Sequence, residues 1–132
     1  MISHLGLNVA DLDAARQYYD QLMPLLGYQS FFSAADQHAY MPADGRRGAY
    51  LFLYPATVPG GYSRHATGLQ HLAFALRSRA DVRAVHTWAV GQESEVLHEP
   101  REFTEYPPPY FATFWLDPFG LMLEAVCHLD VD

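Results

Sequence analysis

The stretch Ser3-His-Leu-Gly-Leu-Asn-Val9 returns 67 residues further along the chain as Gln70-His-Leu-Ala-Phe-Ala-Leu76. In both stretches apolar residues alternate with small or polar ones, which predicts a strand with one apolar face. His4 and His71 coincide when the stretches are superposed, and each lies on the face opposite the apolar residues. The sequence therefore indicates an internal duplication in which one histidine opens each copy.

Each copy continues with one helix and three strands. Asp11 is a suitable N-cap for a helix over residues 12–26, Gly27 is a suitable end to it, and the second helix is predicted over residues 79–90. Strands are predicted over residues 28–34, 38–41 and 49–54 of the first copy and 95–99, 110–116 and 121–127 of the second. We expect one domain over residues 1–132, with a first module at about 1–57, a linker at about 58–68 and a second module at about 69–128.

Composition excludes several classes of function. The formal net charge is −7 and the eight Lys and Arg residues are scattered, which argues against binding to nucleic acid or to anionic membranes. No apolar run approaches the roughly 18 residues of a membrane span. Cys127 is the single cysteine, so a disulfide within the chain is impossible and a reducing, cytoplasmic setting is expected.

A third ionisable residue aligns with the two histidines. Gly48 and Gly120 open the last strands of the two copies, and four residues after them stand Phe52 and Glu124. A single strand histidine is usually structural, and a carboxylate in an apolar strand is costly unless it is paired or coordinated. The set formed by His4, His71 and Glu124 instead predicts a site for Fe, Mn, Zn, Ni or Co that leaves positions open for substrate.

Three segments resemble the vicinal oxygen chelate superfamily, also called the glyoxalase/bleomycin-resistance/dioxygenase family. They are His4-Leu-Gly-Leu-Asn-Val-Ala-Asp-Leu12 with the following helix, Gly68-Leu-Gln-His-Leu-Ala-Phe74, and Leu116-Asp-Pro-Phe-Gly-Leu-Met-Leu-Glu124. The resemblance implies an α+β fold of paired βαβββ modules that form a curved, barrel-like mixed sheet with flanking helices, often completed as a homodimer. It also implies a divalent metal that chelates two neighbouring oxygens of a small substrate, with His4, His71 and Glu124 as its ligands.

One position departs from the pattern of glyoxalase I, a member of the superfamily that this chain resembles. Phe52 stands where that four-ligand enzyme has a carboxylate, and a phenyl ring can neither bind a metal nor move a proton. The chemistry of glyoxalase I is therefore not expected here. Two histidines and one glutamate look more like the extradiol dioxygenases and the fosfomycin-resistance transferases.

Nine tyrosines and eight phenylalanines suggest an aromatic pocket for a small organic ligand. Strand alternation nominates substrate-binding side chains, namely Tyr50, Phe52, Tyr54 and Met122. The alternation of the next strand fits two choices, so the pocket is faced either by Tyr110, Ala112 and Phe114 or by Phe111, Thr113 and Trp115. Tyr110 is the candidate for a catalytic hydroxyl that donates to a developing oxyanion.

Three functions remain open from the sequence. The first is a metal-dependent enzyme, a lyase, isomerase, dioxygenase or transferase, which the repeated histidine and the glutamate favour. The second is a metal-free protein that binds a small molecule, as in the bleomycin-resistance branch of the family that this chain resembles. The third is a module that serves only as a dimer scaffold.

Overall fold

A computed structural model describes all residues, 1–132. The chain divides into two compact units, Met1–Gly61 and Tyr62–Asp132, and each contains one strand, one helix and three further strands. The predicted class, an α+β fold of paired βαβββ modules, is confirmed. The strands form two separate four-stranded mixed sheets, one in each unit, and neither sheet closes on itself.

The first unit consists of β1 (His4–Val9), α1 (Leu12–Leu25), β2 (Tyr28–Ala34), β3 (Gln37–Pro42) and β4 (Tyr50–Pro55). Its sheet has the order β1-β4-β3-β2, in which β1 and β4 are parallel and the other neighbours are antiparallel. Gly27 follows α1 with a φ of 83°, a conformation that favours glycine and ends the helix as predicted.

The second unit repeats this arrangement with β5 (His71–Leu76), α2 (Arg79–Gly91), β6 (Val96–Glu102), β7 (Phe111–Leu116) and β8 (Met122–Cys127). Its sheet has the order β5-β8-β7-β6, again with the first and last strands parallel. The connection between the second and third strands differs most in length between the two units. Residues 103–110 join β6 to β7, whereas only residues 35–36 join β2 to β3.

The two helices begin at equivalent positions of the repeat. Asp11 caps α1 and Ser78 caps α2, and these residues lie 67 positions apart, as the two histidines do. The Asp11 carboxylate accepts from Ala14 N at 3.0 Å, and the Ser78 hydroxyl accepts from Asp81 N at 3.1 Å. Neither helix is long and apolar enough to cross a membrane.

Each sheet packs one face against its own helix. Fully buried side chains of α1 and β4 meet in the first unit, and those of α2, β7 and β8 meet in the second. The opposite face of the second sheet carries another buried cluster, formed by Phe103, Ala112, Phe114 and Val126. The second sheet is thus apolar on both sides, and His71 and Glu124 of the predicted site lie on the side away from the helix.

Candidate metal and substrate site

His71 and Glu124 lie side by side on neighbouring strands. In the parallel pair β5 and β8, His71 stands opposite Met122 and Ala73 stands opposite Glu124. Because alternate residues of a strand share a face, His71 and Glu124 point to the same side of the sheet. His71 Nε2 is 3.4 Å from Glu124 Oε1, and the glutamate side chain is only 1% exposed. The structure therefore brings together two of the predicted site residues.

The ring of His71 is held in one orientation. Its Nδ1 is 2.6 Å from Gln70 Oε1, and because an amide oxygen only accepts, Nδ1 is the donor. In the neutral ring, Nε2 then carries a lone pair that faces the Glu124 carboxylate, which also only accepts. Two acceptors at 3.4 Å need a proton or a cation between them.

Tyr110 holds the second oxygen of Glu124. Its hydroxyl donates to Glu124 Oε2 at 2.5 Å. The backbone of Tyr110 is fixed on both sides, because its N–H donates to the Glu102 carboxylate at 2.8 Å and its carbonyl accepts from Phe103 N at 2.8 Å. Burial, the hydrogen bond to Glu124 and the charge of that carboxylate raise the pKa of Tyr110 well above its usual 10.0. The hydroxyl therefore stays protonated at neutral pH and donates to Glu124.

The closing turn determines which residues of β8 face β5. Asp117 is buried, and its Oδ1 accepts from Phe119 N at 2.8 Å and from Leu121 N at 2.9 Å. Gly120 has a φ of 89°, in the left-handed region that glycine adopts without strain. The aspartate and the glycine of this turn thus fix the start of β8, and with it the position of Glu124.

A cleft of about 400 Å³ opens over Glu124. Besides Gln70, His71, Tyr110 and the predicted substrate residue Met122, it is lined by His98, Arg101, Phe103, Glu105, Tyr106 and Phe114. The cleft resolves the alternation that the sequence left open in β7, because Phe114 and Tyr110 face it. Phe111 lies on the opposite face of the sheet, which packs against α2. The Arg83 guanidinium of α2 lies 4.9 Å from the centre of the Phe111 ring.

Arg101 and Gln70 are among the cleft residues that escaped prediction from the sequence. Arg101 lies on β6, where the register shifts between Val96 and His98 and again between His98 and Arg101. Such irregularities interrupt the alternation by which a strand's faces are assigned. Gln70 had a signal in the sequence, because a residue with a polar side-chain oxygen precedes the histidine in both copies.

The first unit orients His4 in a similar way but lacks the carboxylate. Ser3 Oγ is 3.1 Å from His4 Nδ1, which is the same arrangement as that of Gln70 beside His71 Nδ1. Phe52 stands opposite Gly6, which is the register position that Glu124 occupies in the second unit. The Phe52 ring centre lies 5.4 Å from that of His4, so an aromatic contact replaces the carboxylate there.

A second cleft, of about 600 Å³, lies beside His4. Two of the predicted substrate-binding residues, Tyr50 and Phe52, line it together with Phe31. Tyr54, the third such residue of this unit, stacks on Phe52 with ring centres 6.3 Å apart and is not among the lining residues.

His71 and Glu124 fit a shared divalent ion in the chemistry of their donors and in their spacing. Ligand atoms bound at about 2.1 Å to a tetrahedral ion are about 3.4 Å apart, and His71 Nε2 and Glu124 Oε1 are separated by 3.4 Å. No group of three or more histidine, cysteine, aspartate or glutamate side chains is arranged to hold a metal ion. His4, the third predicted ligand, belongs to the other unit.

Comparison with known proteins identifies the family. The chain is 26% identical over 126 residues to the uncharacterized protein YqjT of Bacillus subtilis (strain 168), covering 93% of this chain and 95% of that protein. A proposed glyoxalase from Bacillus halodurans has a similar crystal structure, with a TM-score of 0.82, 27% identity and coverage of 96% and 95%. The lactoylglutathione lyase of Agrobacterium tumefaciens shares the fold, with a TM-score of 0.66, 20% identity and coverage of 96% and 92%. The sequence model of the Glyoxalase/Bleomycin resistance protein/Dioxygenase superfamily matches residues 1–125, so the chain belongs to this superfamily.

Proposed function

We propose that this protein is a divalent-metal-dependent enzyme that acts on a small oxygenated organic molecule, with His71 and Glu124 as ligands of the metal. The observation that carries the proposal is the 3.4 Å separation between His71 Nε2 and the buried Glu124 carboxylate, with His71 Nδ1 directed at Gln70 Oε1 at 2.6 Å. A histidine ligand commonly donates its other ring nitrogen to an oxygen acceptor, which fixes the ring towards the ion. From the sequence we propose His4 as the third ligand.

A bound metal would polarise two neighbouring substrate oxygens and stabilise negative charge that develops on them. The chain's own side chains supply the rest of the site. The rings of Phe103, Phe114 and Tyr106 give the cleft apolar walls that contact the substrate and exclude water. Tyr110 keeps Glu124 in one orientation.

The reaction differs in our proposal from that of a four-ligand glyoxalase I. Phe52 occupies the register position equivalent to Glu124, so the first unit offers no carboxylate there as a ligand or as a base. We therefore propose a lyase or dioxygenase reaction at a three-ligand centre. Fe, Mn, Zn, Ni and Co all suit two imidazoles and one carboxylate.

Metal analysis of protein purified without chelator tests the proposal. We expect about one divalent ion per chain, and we expect His71→Ala and Glu124→Gln to lower the affinity for Mn²⁺ or Zn²⁺ by at least about a hundredfold in calorimetric titrations. His65→Ala, at an exposed loop position, is the matched control and should bind like the parent protein. The same titration with His4→Ala tests the third ligand. A parent protein that neither contains nor takes up a divalent ion would overturn the proposal.

The second candidate is a metal-free protein that binds a small molecule. The aromatic cleft beside His4, with Phe31, Tyr50 and Phe52, supports it. Affinity for an aromatic ligand that survives EDTA and the His71→Ala substitution would favour this candidate over the enzyme.

We also propose that the protein is a homodimer, as the superfamily resemblance implies. Phe31 and Phe32 of the edge strand β2 are 51% and 45% exposed, which is a large apolar area to leave in water. Sedimentation equilibrium at micromolar concentration should give twice the chain mass of 14.9 kDa. A mass of one chain would rule the dimer out.

A further inference from the structure

We propose that the substrate of the second-unit cleft is a small planar acid, whose two neighbouring oxygens meet the metal at His71 and Glu124 and whose carboxylate binds Arg101. This inference rests on the proposed function and names its substrate class. It makes Arg101 a specificity-determining residue.

The guanidinium of Arg101 lies over the ring of Phe103 at the cleft wall. Its Cζ lies 3.7 Å from the centre of the Phe103 ring, and Phe103 itself is buried. Stacking on an aromatic face fixes the plane of the guanidinium and leaves its N–H groups pointing outward from the edge. A planar fork of donors in this setting matches the two oxygens of a carboxylate.

The donors of Arg101 are only partly used within the protein. Nη1 donates to the Glu102 carbonyl at 3.1 Å, and Nη2 lies 3.4 Å from Glu105 Oε2. Both partners of the Arg101–Glu105 pair are about half exposed, so water screens their attraction. The Glu105 carboxylate contacts Arg101 where the carboxylate of a ligand would bind, but its distance of 3.4 Å is long for a hydrogen bond. A ligand carboxylate with better geometry would therefore displace Glu105.

The distance from Arg101 to the metal ligands suits a small molecule. Arg101 stands opposite Ala112, and Ala112 stands opposite Val126, which is two residues beyond Glu124 on β8. Two strand spacings put Arg101 about 10 Å across the sheet from β8. A single substituted ring or a short conjugated acid spans that distance, and Phe114 lies between the two ends.

The charge of the cleft also favours an anion at this end. The chain has a net charge of −7, yet Arg101 is the one permanently charged cation among the residues that line the cleft. A protein with a negative net charge repels an anionic ligand unless a nearby cation attracts that ligand. The aromatic rings of Phe103, Tyr106 and Phe114 would contact the flat body of the ligand.

The test compares two probes that differ by one carboxylate. Zn²⁺-loaded protein is titrated calorimetrically with catechol and with 3,4-dihydroxybenzoate in the absence of oxygen. We expect the acid to bind at least about tenfold more tightly than catechol, as a charged hydrogen-bonded pair should provide. Arg101→Gln should remove that difference and leave the affinities for Zn²⁺ and for catechol unchanged. Glu105→Gln should tighten binding of the acid alone.

Arg83→Gln is the matched control, because Arg83 also stacks on an aromatic ring of this unit but on the helix side of the sheet. It should leave the preference for the acid intact. Equal binding of the two probes, binding of neither, or a preference that survives Arg101→Gln would overturn the inference. Failure of the proposed function is distinguishable, since it appears beforehand as a parent protein that takes up no Zn²⁺.

Discussion

At the scale of single residues, the hydrogen bond from Tyr110 to Glu124 makes the sharpest prediction. The hydroxyl fixes Glu124 Oε2, which leaves Oε1 facing His71. Because we propose Glu124 as a metal ligand, Tyr110→Phe should lower Mn²⁺ affinity by about tenfold to a hundredfold, the usual effect of removing a hydrogen-bond partner from such a ligand. Tyr106→Phe, whose ring lies 4.7 Å from that of Tyr110, should change little. Calorimetric titration measures both, and an unchanged affinity in Tyr110→Phe would show that Glu124 needs no such support.

The pairing of His71 with Glu124 could be predicted from the sequence because it follows from register. His71 is the first residue of its strand, and the Asp117–Gly120 turn determines the position of Glu124 on the next one. Both features can be recognised in the local sequence. The face of β7 could not be predicted, because that strand is apolar on both sides and alternation carries no information there. Arg101 was hidden for a different reason, namely the irregular register of β6.

At the scale of elements, the connection between β6 and β7 explains why the two units differ. Residues 103–110 of the second unit take the place of residues 35–36 of the first, and this longer connection supplies Phe103, Glu105, Tyr106 and Tyr110 to the cleft. The first strands and the helices of the two units begin 67 residues apart, whereas the longer loop changes this spacing for the strands that follow it. The fold was therefore predictable from the repeat. Of the residues that this connection brings to the cleft, only Tyr110 was predicted, because the connection lies where the repeat is broken.

The two helix caps give a paired prediction about stability. Asp11 and Ser78 each satisfy one N–H of the first helical turn, at 3.0 and 3.1 Å. Asp11→Ala and Ser78→Ala should each lower the free energy of unfolding by about 1 kcal/mol, because an orphaned N–H at a helix start costs about that much. Asp11→Asn and Ser78→Thr keep a capping oxygen and should lose far less. Urea denaturation measures the four variants, and equal losses in the alanine and the conservative variants would contradict the capping role.

At the scale of the whole molecule, the two units share one backbone scheme but differ in which of them carries the ionisable side chains. The row of paired residues that crosses the first sheet contains Gly6, Phe52, Ala39 and Phe32. The equivalent row of the second sheet contains Ala73, Glu124, Phe114 and His98. The backbone scheme is thus shared, whereas the ionisable groups of this row are confined to one copy. Outside this row, His4 of the first copy keeps the ionisable side chain of its counterpart, His71.

Three tyrosines that are buried or partly buried predict how the whole molecule responds to alkaline pH. Burial first, and then the hydrogen bond to Asp20, raises the pKa of Tyr40 far above 10.0, and burial likewise raises the pKa of Tyr28 and Tyr110. Above pH 10 the unfolded chain releases tyrosine protons that the folded chain retains. Stability contributed by these groups is therefore complete below pH 10 and declines as the pH rises towards the folded-state values.

We expect the urea midpoint to fall between about pH 9 and about pH 11. Tyr40→Phe should start less stable at neutral pH by about 1 kcal/mol, because its hydroxyl no longer donates to Asp20 at 2.7 Å. It should nevertheless lose less stability than the parent protein over the alkaline range, since one group with a raised pKa is gone. Parallel pH profiles for the two proteins would show that Tyr40 ionises as easily in the folded chain as in the unfolded one.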